Sequence, residues 1–86
     1  MKILAKYLTA DTQVHVGKCY FIGLIATAGK TAHAYNVEAA GSIGDSNRVG
    51  WSVGRDTILP KPGVECSNGL YIANSDNACM LYYSLG

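Results

Sequence analysis

Residues 60–84 read PKPGVECSNGLYIANSDNACMLYYS, and the punctuation of this stretch decides the fold. Asn68-Gly69 separates two short runs that favour extended structure, residues 64–67 and 70–73. Asn-Gly supplies positive φ at both centres of a two-residue type I′ turn at little steric cost, so the spacing predicts a hairpin. A second polar cluster, Asn74-Ser75-Asp76-Asn77, turns the chain into a third extended run over 78–83. Pro60 and Pro62 set the entry. The C-terminal third therefore reads as strand, hairpin, strand, turn, strand.

The same pattern continues upstream. Residues 48–54 alternate most regularly, which predicts Val49, Trp51 and Val53 inward and Arg48, Gly50, Ser52 and Gly54 outward. A further short strand is expected over 56–59. Residues 19–28 are apolar on both faces, which suits a central strand covered on both sides or one whose outer face meets a partner. Gly29-Lys30 closes a tight turn into 31–37, where His33, Tyr35 and Val37 alternate with Ala32, Ala34 and Asn36; these two runs are predicted to form a second hairpin. Residues 38–47 form a loop. Near the start, Ile3, Ala5 and Tyr7 share one face and Lys2, Leu4, Lys6 and Leu8 the other, as in an edge strand guarded by lysines. Val14 and Val16 are expected to face inward.

Helical signal is nearly absent, since Gly41 stops the alanines before it after barely one turn. About seven or eight short strands, at spacings of roughly 8–12 residues, predict an all-β fold. The expected architecture is a small antiparallel β-sandwich or jelly-roll-like barrel, with residues 1–86 as one domain.

Composition narrows the function classes. Apolar residues make up 49% of the 86 and charged residues only 15%, so there is ample surface to bury and little charge to keep it from associating. The net charge is +1 and no two of the seven Lys and Arg residues are adjacent. Nothing here resembles the concentrated positive face of a nucleic-acid binder. The longest apolar run, over 19–25, is too short for a membrane-spanning helix, and residues 1–12 lack the apolar core of a secretory signal.

Candidate chemistry is sparse. Cys19, Cys66 and Cys79 are odd in number and widely spaced, which speaks against a secreted disulfide framework and for synthesis in a reducing compartment. Buried free thiols are the plain reading, and one bridge between Cys66 and Cys79 across neighbouring strands is the alternative. Neither the cysteines nor His15 and His33 have zinc-ligand spacing, and no motif pairs a thiol with a histidine for nucleophilic catalysis. Gly41-Ser42-Ile43-Gly44 lacks the Lys-Ser/Thr or helix that a phosphate loop requires, so it reads as a connector. The acids Asp11, Glu38, Asp45, Asp56, Glu65 and Asp76 are dispersed. No catalytic, cofactor-binding or metal-binding residue is assigned. Tyr82-Tyr83 puts one ring on each face of the last strand, so at most one joins a simple core; both read as amphipathic rings at the core edge, and a subunit contact is the sharper alternative.

Four stretches taken in order look familiar: residues 17–26 (GKCYFIGLIA), Ala34-Tyr35-Asn36, residues 62–72 (PGVECSNGLYI), and Leu81-Tyr82-Tyr83-Ser84. Together they resemble the small β-sandwich virion proteins of tailed bacteriophages, over about residues 17–84. Those proteins share a Gly-x-x-x-x-Gly second strand (Gly17 and Gly23 enclose five residues here), a third strand ending in Tyr-Asn or Tyr-Asp, a late Asn/Thr-Gly-Leu-Tyr hairpin and a final Tyr-Tyr. The cysteines and the 41–47 loop depart from that pattern. The resemblance implies a head decoration or cement protein, made in the host cytoplasm and carried on the capsid surface. Its partners would be the major capsid protein and further copies of itself, with a trimer favoured. It further implies no enzymatic activity and no cofactor. A head–tail connector or a fibre module is the alternative on the same fold. A small carbohydrate-binding sandwich using Trp51 or Tyr71 as a stacking platform is a third.

Overall fold

The computed structural model describes residues 2–27, 29–52 and 63–86, and residues 56–58 by their backbone. Pro60, Pro62, Val53, Gly54 and Leu59, all invoked above, lie outside the described residues. Among the described residues nine strands run in chain order: β1 Leu4–Leu8, β2 Thr12–Val16, β3 Cys19–Ala26, β4 Ala32–Tyr35, β5 Arg48–Ser52, β6 Asp56–Ile58, β7 Val64–Cys66, β8 Gly69–Ala73 and β9 Cys79–Ser84. The only helical pieces described are single 3-10 turns at Ala40–Ser42 and Asp45–Asn47, within the expected loop.

The strands form two antiparallel sheets. One has the order β1-β9-β3-β6, with β7 also paired to β3; the other has the order β2-β8-β4-β5. β6 pairs with the second half of β3 and β7 with the first half, so they share one flank and each sheet is four strands wide. Position by position, each strand in one sheet is the chain neighbour of the strand in the same position of the other: β1 with β2, β9 with β8, β3 with β4, β6 with β5. That ordering is the jelly-roll arrangement of the expected all-β class.

Its consequence overturns both predicted hairpins. β7 pairs with β3 while β8 pairs with β2 and β4, so Asn68-Gly69 carries the chain from one sheet to the other. Ser75 and Asp76, not Asn68, are the non-glycine residues described with positive φ, so no type I′ turn forms. Two polar contacts hold Asn68 in its corner: its N–H donates to Asn36 Oδ1 (2.9 Å) and its carbonyl accepts from Gly17 N–H (2.9 Å). Likewise β3 and β4 lie in opposite sheets, and β4 pairs instead with β5 across the 3-10 turns.

At the other end Asp11 ties two sheet-crossing corners together. Its Oδ1 accepts from the N–H groups of Asn74 (2.8 Å) and Ser75 (2.9 Å), where the chain enters the left-handed pair Ser75 (φ 52°) and Asp76 (φ 61°). The fully buried Asn74 donates to Cys79 Sγ and accepts from Asp76 N–H. Removing a shared acceptor strands both donors, so Asp11→Ala is expected to lower the unfolding free energy by about 1–3 kcal/mol. Urea denaturation would register this as an earlier midpoint at unchanged slope, and an unchanged midpoint would deny Asp11 that role.

The core lies between the sheets. Phe21, Leu24 and Leu81 enter from one side, Leu70, Ile72, Ala32 and Ala34 from the other, and all are fully buried. Each large side chain contributes about 1.5–3 kcal/mol through apolar burial. The alternation in β5 is present but its faces are inverted relative to expectation. Gly50 and Ser52 are buried, while Trp51 is 55% exposed. Phe21 explains the inversion: a Cβ on Gly50 would stand 2.5 Å from the ring, so only the small face of β5 fits against it. Val49 still packs on the core because the ladder slips a residue between Ala34 and Tyr35. A similar slip between Gln13 and His15 leaves Val14 on the core and turns the expected inward Val16 out to 60% exposure.

Candidate functional site

The last strand divides its rings as its alternation demands. Tyr83 packs on the core, and Met80 and Tyr82 point away from it. Register then builds the outer surface of the sheet row by row. Tyr7 and Ile25 flank Met80, and Ala5 and Gly23 flank Tyr82. Residues directly opposite in an antiparallel pair share a face, so these six form one continuous patch over β1, β9 and the adjoining part of β3. None of these six residues is charged, and Asp56 of β6 stands opposite Ile25 at the flank of the patch. Tyr7 is 63% exposed, while Ile25, Met80 and Tyr82 are half-buried.

The patch has relief. Tyr7, Ile25, Ala26, Thr27, Ala78, Cys79 and Met80 line a hollow of about 240 Å³ at one end. At the other end Tyr20 lies under the Lys18 ammonium (5.8 Å to the ring centre), and Lys18 reaches Glu65 at 3.9 Å. An apolar centre beside a charged rim is the general anatomy of a protein interface. The sequence hinted at this through the doubly apolar β3 and the extra tyrosine of β9. It did not single out Tyr7 or Met80, which meet only through strand register.

The opposite sheet presents a different outer surface. His33 stands between Trp51 and Ala73, and Tyr35 between Arg48 and Tyr71. The Arg48 guanidinium lies 5.4 Å from the centre of the Trp51 ring, Nη1 approaches His33 Nδ1 at 3.5 Å, and Nη2 approaches Asp45 at 3.8 Å. Burial, and then the Arg48 charge, lower the His33 pKa from its ordinary 6.5, with Asp45 opposing. The fold thus resists protonating His33, so this contribution to stability is present above pH 6.5 and is lost as pH falls through the depressed folded value. The expected result is a thermal midpoint that declines below pH 6.5 less steeply in His33→Gln than in the parent. Identical pH profiles would remove His33 as the source.

The other candidate residues do not converge. His15 is on β2 and His33 on β4, with β8 between them. Cys19, Cys66 and Cys79 are free and buried. Burial raises all three pKa values, with Cys66 pushed up to about 12, so the thiols are neutral at pH 7. The expected alternative of a Cys66–Cys79 bridge is wrong, because β3 lies between β7 and β9. Residues 41–44 are exposed, in and beside the single-turn helices. Among the described residues no group of three or more His, Cys, Asp or Glu could hold a metal ion, and no helix is long and apolar enough to cross a membrane. Comparison with protein-family models, curated proteins and solved structures gives no match to this chain.

Proposed function

We propose that this chain is a structural protein of a bacteriophage particle, a head decoration or cement protein that associates with copies of itself and docks on the shell of major capsid protein. The resemblance of residues 17–84 supplies the class of protein. The observation that carries the reading is the uncharged outer patch of Ala5, Tyr7, Gly23, Ile25, Met80 and Tyr82. A small domain with 15% charged residues has few means of keeping such a face apart from others. The role needs no chemistry, only a shaped surface that loses water on contact.

Co-sedimentation with undecorated capsids tests this reading. The parent chain is expected to pellet with the shells, and Met80→Lys, which places a charge at the centre of the patch, to bind about 30-fold more weakly (roughly 2 kcal/mol). Parent chain left in the supernatant at every concentration would refute docking on the shell. Antibody label confined to the tail would move the protein to the connector or fibre alternative.

One observation favours a second reading, a glycan-binding sandwich. Trp51 is exposed on the same surface as His33, Tyr35 and Tyr71, which offers a ring for stacking beside hydrogen-bonding groups. Glycan-array binding abolished by Trp51→Ala would support it, and a blank array would reject it.

A further inference from the structure

Cys19 opens β3 and Cys66 closes β7, and the antiparallel register sets them directly opposite each other. Such residues lie about 4.5–5.5 Å apart at Cα and project to the same face. A disulfide requires a Cα separation of roughly 4.4–6.8 Å, so the backbone already holds the pair at bonding range. Both side chains are fully buried in the core, where the Cys66 thiol donates to Val64 O at 3.7 Å. Cys79 is excluded from this pairing. It stands opposite Ala26, at the far end of β3 from Cys19, roughly 23 Å along the strand.

We infer that Cys19 and Cys66 are an intramolecular dithiol that closes to a disulfide on exposure to a small-molecule disulfide such as oxidised glutathione, stapling β7 to β3. One protein thiolate attacks a sulfur of glutathione disulfide, forming a mixed disulfide and expelling one glutathione thiolate. The second protein thiolate attacks the protein-side sulfur of that mixed disulfide and expels the other glutathione. Two electrons pass from the protein thiols to glutathione disulfide, and the two thiol protons end on the two glutathione thiolates.

The geometry also sets the speed. Both thiols are buried and held neutral, so the closed fold reacts slowly and oxidation waits for β7 to open. β7 is three residues long, and its described pairing is with β3 alone. The Lys18–Glu65 pair, which ties β7 to the residue preceding β3, is exposed and weak. Mild denaturant should therefore speed closure without changing the bridge formed.

The test uses the full chain, purified under reductant and incubated with oxidised glutathione across a urea series, then alkylated, weighed intact and peptide-mapped. The expected product has lost the mass of two hydrogens, joins the Cys19 and Cys66 peptides, and retains Cys79 as its one alkylatable thiol out of three. Its thermal midpoint should rise by about 10 °C and return with dithiothreitol. Cys79→Ser should form the same bridge and Cys66→Ser none. Three alkylatable thiols after oxidation in urea, a persistent glutathione adduct, or a bridge that includes Cys79 would each overturn the inference; mapping of the parent chain decides even if a variant fails to fold.

Discussion

Phe21→Ala is expected to lower the unfolding free energy by about 3–5 kcal/mol, the largest loss from any single truncation in the core. Phe21 is the largest fully buried side chain, and its ring rests on Gly50 of the opposite sheet. A domain of 86 residues commands roughly 4–13 kcal/mol in all, so this one truncation removes a large share of it. The companion change makes the contact specific. Gly50→Ala puts a methyl into space the ring already fills and should cost about 1–3 kcal/mol. Made in a Phe21→Leu background, the same methyl should cost less, because the smaller side chain vacates the edge of the ring site. Denaturation of the four proteins measures the coupling; strict additivity would mean that ring and glycine do not touch.

Gly69→Ala should be comparably severe, for backbone reasons. Gly69 opens β8 with φ +154°, a conformation that side chains rarely adopt, and a Cβ there would stand 2.6 Å from His15 O and 2.7 Å from Val37 O. Neither carbonyl is free to give way. Gln13 Nε2 donates to both, at 2.9 Å each, and to Leu70 O at 3.2 Å. Strain and displacement together cost on the order of 2–4 kcal/mol. Thermal unfolding should show a midpoint lowered by more than roughly 8 °C. A variant as stable as the parent would mean that this corner is looser than described.

Those two sites also show where residue patterns lose their reach. Alternation in β5 was legible from Arg48 to Ser52, yet its buried face could not be assigned, because the choice belongs to Phe21, twenty-nine positions away from Gly50 in the chain. Hydrophobicity favoured Trp51 inside, whereas the available volume favoured glycine and serine. Asn68-Gly69 was legible as a reversal of the chain, but local turn chemistry does not say which sheet receives the next strand. The polar contacts of Asn36 and Gly17 with Asn68 decide that, and they join distant segments. The all-β class and the place of β1 at an edge needed only local propensity and period, so they were readable. The outer patch was half readable: β3 was apolar on both sides, but Tyr7, Ile25 and Met80 become neighbours only once the register is set.

The reading of this chain as a surface made for neighbours depends on one property, self-association through the β1-β9-β3 face. Sedimentation equilibrium over a wide concentration range measures it directly. The mass is expected to climb from the 9.1 kDa of the single chain toward a small oligomer, a trimer being favoured, with Met80→Lys held at the lower value. A parent protein that stays at 9.1 kDa at the highest concentration reached would contradict it.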